Sequence, residues 1–172
     1  TLAAALAAAA QTSAGITFID NDDAETFVSY ADLQQRAGMV LNHLRSHGVN
    51  PGAELLICTS SNQQLLDGFW ACQLGGMTAV PIAVAHNQQG MAKLYNVFET
   101  LNDGFILSNH KAMEGYGSFT DKVGGTYPQR HREMEQRYVS ADEVDASSPP
   151  AALHTAQASD MALIQFSSGT TG

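Results

Sequence analysis

The 172-residue chain is poor in cysteine, tryptophan and positive charge, with two Cys, one Trp and 8 Lys plus Arg against 17 Asp plus Glu, a net charge of −9. So few cations argue against a phosphate-backbone binder, which needs a basic face. No apolar run reaches the ~18 residues of a membrane span. The Ala-rich opening, 1–10, lacks the basic and strongly hydrophobic regions of a signal peptide. A cytoplasmic protein without a membrane span is expected. Cys58 and Cys72 form no CxxC pattern and no His pair stands at metal-ligand spacing, so two reduced, buried thiols are expected.

What is present is a 44% hydrophobic chain, enough for one sizeable core. Leu2, Leu6, Ala9 and Ala10 recur at helical spacing. Ile16-Thr17-Phe18-Ile19-Asp20 and Thr26-Phe27-Val28-Ser29 bracket the polar turn Asn21-Asp22-Asp23, a hairpin signal. Leu33, Ala37, Val40, Leu41 and Leu44 form a helical stripe that ends at His47-Gly48. Glu54-Leu55-Leu56-Ile57-Cys58-Thr59-Ser60 is almost wholly apolar, as expected of a strand covered on both faces in a parallel sheet.

Asn62 is placed to cap a helix over 63–74 closed by Gly75-Gly76, and Thr78-Ala79-Val80-Pro81-Ile82 follows as a strand, completing a βαβ unit. The pattern repeats with a helix over 91–101 bearing Leu94, Val97, Phe98 and Leu101, then a strand Gly104-Phe105-Ile106-Leu107-Ser108. From 109 to 158 the signal weakens: Gly115-Tyr116-Gly117, Gly124-Gly125, a charged run 130–137 and Ser147-Ser148-Pro149-Pro150 predict one or two small elements joined by exposed loops, with the charged run a solvated face. Trp70 is expected in the core or at a subdomain contact, and the six histidines at the surface or at caps.

Met161-Ala162-Leu163-Ile164-Gln165-Phe166 reads as a buried strand that runs into Ser167-Ser168-Gly169-Thr170-Thr171-Gly172. That hexamer offers four hydroxyls, and its glycines let backbone N–H groups point one way without Cβ obstruction. Phosphate oxygens are the natural partner, because α/β folds place anion sites at the carboxyl ends of their strands. Taken alone, the same hexamer also suits a flexible linker. Neither GxxxxGK[ST] nor GxGxxG follows any predicted strand, which disfavours an ordinary P-loop NTPase or a dinucleotide fold.

The hexamer resembles the phosphate loop of the adenylate-forming superfamily of acyl-CoA ligases, luciferases and synthase adenylation domains. Two earlier blocks resemble that family's motifs in order and spacing: Ser29-Tyr30-Ala31-Asp32-Leu33 and Leu74-Gly75-Gly76-Met77-Thr78-Ala79-Val80-Pro81-Ile82. Asn62-Gln63, Phe69-Trp70-Ala71-Cys72 and Lys93-Leu94-Tyr95-Asn96 look closest to adenylation or acyl-ligase domains of modular polyketide and hybrid polyketide/peptide synthases. In the family the two earlier blocks are scaffold, and Gly75-Gly76 lets helix and strand approach closely.

The resemblance implies an α/β fold, the N-terminal subdomain of an adenylate-forming enzyme, with a mostly parallel sheet, βαβ units and flanking helices. Residues 1–172 would be the N-terminal portion of an adenylation domain, ending in the phosphate loop. It implies ATP and Mg2+ as cofactors of the complete enzyme, a carboxylic acid substrate, and a carrier-protein phosphopantetheine thiol or coenzyme A as acyl acceptor. Ser167, Ser168, Gly169, Thr170, Thr171 and Gly172 would bind the ATP phosphates, with the hydroxyls of Ser168, Thr170 and Thr171 foremost. Family members continue with Pro-Lys-Gly, so the loop lysine, like the later carboxylate pocket and catalytic lysine, is not among these residues, no catalytic residue is assigned, and the piece alone is expected to be inactive. Three readings stand: a synthase adenylation domain, a free-standing acyl-CoA ligase, and a non-catalytic interaction module.

Overall fold

A computed structural model describes residues 1–19, 24–145, 147 and 151–166. Helix α1 (Leu2–Ala9) is capped by the Thr1 hydroxyl and buries Leu6. Strands β1 (Gly15–Ile19) and β2 (Glu25–Ser29) pair antiparallel as the hairpin signal predicts, and the turn Asn21-Asp22-Asp23 lies outside the described residues. Ser29 then caps α2 (Tyr30–Ser46): its hydroxyl accepts from the Asp32 amide at 3.1 Å and donates to the Asp32 carboxylate at 2.6 Å. An acid in the first turn also suits the positive end of the helix dipole. The predicted stripe Leu33, Ala37, Val40, Leu41 and Leu44 is buried in full.

Strand β3 (Glu54–Cys58), helix α3 (Asn62–Gly75), strand β4 (Thr78–Pro81), helix α4 (Gln88–Thr100) and strand β5 (Gly104–Ser108) follow in the predicted order. The cap of α3 is Ser61 rather than Asn62, and α4 starts three residues early because Asn87 accepts from the Gly90 amide at 2.8 Å. The four-stranded sheet has the order β4-β3-β5-β6, all parallel, where β6 is Tyr138–Ser140. The chain therefore leaves β3 for β4 on one side and crosses back over β3 to β5 on the other.

Alternation along the strands divides the core. Leu55, Ile57, Phe105 and Leu107 join Leu33, Leu41, Leu44, Ala71 and Leu74 from α2 and α3. Leu56, Cys58, Val80 and Ile106 face the opposite way, onto Leu94, Tyr95, Met113, Tyr116 and Met134. Burying each such side chain is worth roughly 1.5–3 kcal/mol relative to leaving it in water. The sheet is thus covered on both faces, which is why β3 and β5 carry no polar alternation. Trp70 is half-buried against the first cluster, edge-on to Phe69 at 5.4 Å.

The stretch expected to hold small elements and loops instead holds α5 (His110–Val123), α6 (Tyr127–Glu135) and β6. Gly115-Tyr116-Gly117 lies inside α5. Two interior glycines lower helix propensity by about 1 kcal/mol each, but Met113, Tyr116 and Thr120 supply a buried i, i+3, i+7 face that outweighs the loss. Gly117 also admits α6: a Cβ there would stand 3.0 Å from Nε2 of His131. The run 130–137 is only partly a solvated face, since His131 and Met134 are buried. The Arg130 guanidinium is ion-paired to Glu99 and lies over the Tyr95 and Tyr127 rings at 5.5 and 5.2 Å. His131 is likewise no surface residue; its Nδ1 meets the Tyr95 hydroxyl at 3.0 Å.

Candidate functional site

The candidate site is the carboxyl edge of the sheet, toward which residues 161–166 run. The Ala79 amide donates to the Ala162 carbonyl at 3.2 Å, and the Ile164 amide donates to the Ala79 carbonyl at 2.9 Å. This parallel bridge, Ala79 with Leu163, sets the segment beside β4 and in the same direction. Position 166 therefore heads for the edge where β3, β4, β5 and β6 all end. Ser167, Ser168, Gly169, Thr170, Thr171 and Gly172 lie outside the described residues.

The expectation of a buried strand over 161–166 is corrected: the pairing is a single bridge, and Met161, Leu163 and Phe166 are 60%, 42% and 38% exposed. One cause is in β4. The next rung toward the segment would need an N–H at position 81, where Pro81 has none. A second is place: the segment is outermost beside β4, and only Ile164 packs against the core.

Side chains supply what the ladder lacks. The Thr78 hydroxyl donates to the Met161 carbonyl at 3.1 Å, and Nε2 of the buried Gln73 donates to the Ala162 carbonyl at 2.9 Å. Between these donors lies the glycine pair of the second motif block. A Cβ on Gly75 would stand 2.4 Å from Cδ1 of Leu41 on α2, and one on Gly76, at φ +70°, would stand 2.5 Å from the His154 ring. The pair thus admits a helix and a loop, and the expected helix–strand approach is not what it serves.

Where β3 and β5 end, a self-satisfied polar cluster ties together the loops that follow them. Oδ1 of Asn109 accepts from the Ser60 amide at 2.9 Å and the Ser60 hydroxyl at 3.2 Å. Nδ2 of Asn109 donates to Gln64 at 2.9 Å and to Asp142 at 2.6 Å, and the second Asp142 oxygen accepts from the His110 amide at 2.9 Å. Burial pushes the Asp142 carboxyl up, but the His110 amide, Asn109 and Gln64 outweigh it and hold the group below the usual carboxylate range. Ser60 and Asn109 carry a sequence signal, polar residues directly after apolar strands. Asp142 carries none.

A separate cavity of about 280 Å3 between α2 and α3 is lined by Met39, Val40, Leu107 and Ala141, with the Arg36–Asp67 ion pair and Gln64 beside it. Burial raises the Asp67 carboxyl above its ordinary value against the opposing pull of Arg36. Cys58 and Cys72 are both free and buried, and burial pushes the Cys58 thiol up to about 11, so neither thiol is poised as a nucleophile at neutral pH. Among the described residues no three His, Cys, Asp or Glu side chains converge on a metal position. No helix among them is long and apolar enough to cross a membrane.

Residues 6–172 match the family described as AMP-binding enzyme. The chain belongs to that family. A linear gramicidin synthase from Brevibacillus parabrevis is 25% identical over 148 residues, which cover 84% of this chain and 2% of that much longer protein. The solved structure of McyG A-PCP complexed with phenylalanyl-adenylate is 32% identical with a TM-score of 0.84, covering all of this chain and 31% of that one. The adenylation domain of a keto acid-selecting NRPS module bound to keto acyl adenylate is 27% identical with a TM-score of 0.79, covering 95% of this chain and 30% of that one. The chain therefore spans about a third of these solved AMP-binding relatives and a small part of the gramicidin synthase. The parallel sheet and flanking helices agree with their shared fold.

Proposed function

We propose that residues 1–172 are the N-terminal portion of an adenylation domain whose parent activates a carboxylic acid with ATP. A carboxylate oxygen attacks the α-phosphorus, the bond to the bridging oxygen breaks, and acyl-AMP and pyrophosphate form. A thiol then attacks the acyl carbonyl, AMP leaves, and the thiol proton passes to solvent or base. The observation that carries this reading is the parallel course of 161–166 beside β4, which leads directly into a hexamer of Ser, Thr and Gly.

The donor chemistry fits phosphate. The hydroxyls of Ser167, Ser168, Thr170 and Thr171 and the amides around Gly169 and Gly172 hold the phosphoryl oxygens and stabilise the charge that builds on the departing pyrophosphate. Such chemistry is mainly positioning and electrostatics, which preorganised donors supply. The acceptor in this reading is a carrier-protein phosphopantetheine thiol in a modular polyketide or peptide synthase, supported by the carrier-bearing McyG structure and the synthase relative.

The test is ATP–pyrophosphate exchange on the complete parent protein with fatty, aryl, keto, hydroxy and amino acids in turn. Exchange with at least one is expected, and none in well-folded protein sinks the reading. Thioester formation on an added carrier protein but not on coenzyme A is expected, and the reverse preference replaces the synthase with a free-standing ligase.

A further inference from the structure

We infer that Gln73 and Thr78 are positioning residues: their side chains set the register of residues 161–166 and, through it, the point on the sheet edge from which position 166 hands the chain on to the phosphate-binding hexamer. The second half rests on the phosphate-loop reading above, while the first rests on geometry alone.

The segment has too little backbone pairing to fix its own register. One bridge joins it to β4, Pro81 blocks the next rung, and its apolar side chains are largely solvent-exposed. A strand held by one bridge is prone to slip, and a slip of one residue turns every side chain to the other face. Against that, two successive carbonyls are held individually: Met161 by the Thr78 hydroxyl and Ala162 by Gln73. These two bonds hold the segment against the α3–β4 turn where the backbone ladder gives it one bridge, and the upstream tie at His154 with the packing of Ile164 fixes which carbonyls reach the donors.

The donors are themselves rigidly mounted. Both are buried, Gln73 near the end of α3 and Thr78 at the start of β4, on either side of the tight turn at Gly76. The chain just upstream is tied to the same turn. The His154 amide donates to the Leu74 carbonyl at 2.8 Å, the His154 ring lies against Gly76, and its Nε2 meets Asp160 at 3.0 Å. The block 73–78 thus grips the incoming chain at 154 and again at 161 and 162. A scaffold role for this block explains its packing on α2 but not why its polar side chains aim at this one segment.

The experiment uses the complete protein that carries this chain. Thr78→Val and Gln73→Met remove the hydrogen bonds with little change of shape, Thr78→Ser keeps the hydroxyl, and Tyr95→Phe removes a buried hydrogen bond in the opposite layer as a control for general destabilisation. Hydrogen exchange at the Ile164 amide reads the register without reference to ATP: faster exchange in Thr78→Val and Gln73→Met, but not in Thr78→Ser or Tyr95→Phe, is expected, and unchanged exchange overturns the inference. In pyrophosphate exchange, each of the first two variants should raise the KM for ATP about fivefold to tenfold, the worth of one such hydrogen bond, with the KM for the carboxylate within about twofold. Equal change in both KM values, or the same change in Tyr95→Phe, reduces the two residues to general scaffold. Native protein with no exchange activity defeats the adenylation reading instead, and the Ile164 amide still decides whether the clamp exists.

Discussion

Strands β3 and β5 and the segment 161–166 are equally apolar stretches of one sheet, yet they are held in different ways. Leu55, Leu56, Ile57, Ile106 and Leu107 are sealed between two helical layers and have paired neighbours on both sides. Met161, Leu163 and Phe166 lie in an outermost segment with one bridge, and side-chain hydrogen bonds from Gln73 and Thr78 replace the missing ladder. Hydrophobic burial holds the first pair wherever register permits, whereas directional bonds hold the second in one register. The element that delivers the candidate loop is therefore the one whose position depends on a few polar contacts.

The contrast is open to measurement, beginning with the largest effect. Ile57→Ala should cost about 2–5 kcal/mol of stability in urea unfolding, since the surrounding layers cannot collapse into the cavity. A loss no larger than at an exposed site would mean the sheet centre is not packed as described. Gly76→Ala should cost about 1–3 kcal/mol, because a Cβ is strained in the left-handed region and would stand 2.5 Å from the His154 ring. Normal stability in that variant would show that the loop bearing His154 does not rest on the turn.

Two carboxylates, the buried Asp67 and the exposed Asp142, should respond to pH with opposite signs. Asp67 has a raised folded-state pKa, so its contribution is fully present below the unfolded value of about 3.9 and is lost as pH rises through the folded value. Asp142 has a lowered one, so its contribution is present above about 3.9 and is lost as pH falls through the folded value. Urea midpoints across the acid range should show the gap between native protein and Asp67→Asn narrowing as pH rises, and that for Asp142→Asn narrowing as pH falls. Parallel curves would remove the assigned directions. Smallest of all, Leu163→Ala should change stability by less than about 0.5 kcal/mol, as at other exposed sites, and a core-sized loss there would place the segment in the interior after all.

Much of the fold was legible because it rests on local rules. The Leu55-Leu56-Ile57-Cys58 run, the Ser29 cap and the glycines at 48 and 76 each specify an element within a few residues. Helix α5 was not legible, because Gly115 and Gly117 are poor helix formers and the forces that outvote them come from elsewhere in the chain: Cys58 meets the Tyr116 hydroxyl at 3.1 Å, and His131 packs over Gly117. The polar cluster of Ser60, Gln64, Asn109 and Asp142 was hidden for the same reason. Its members are up to 78 residues apart from one another's bonded partners, and no spacing rule links them. The hexamer Ser167–Gly172 was nominated for phosphate by its place after an apolar stretch and its likeness to the family's loop, because its hydroxyl and glycine content alone also suits a linker.

By itself, the sequence determined the βαβ order, the parallel sheet and the nomination of that loop, because apolar period, caps and turn glycines act over one or two turns of chain. Only the tertiary structure decided which apolar stretch is interior and which is edge, and that Gln73 and Thr78 take over where Pro81 breaks the ladder. Burial and hydrogen-bond partnership at those places belong to pairs of residues far apart in the chain, and such pairs exist only once the sheet has formed.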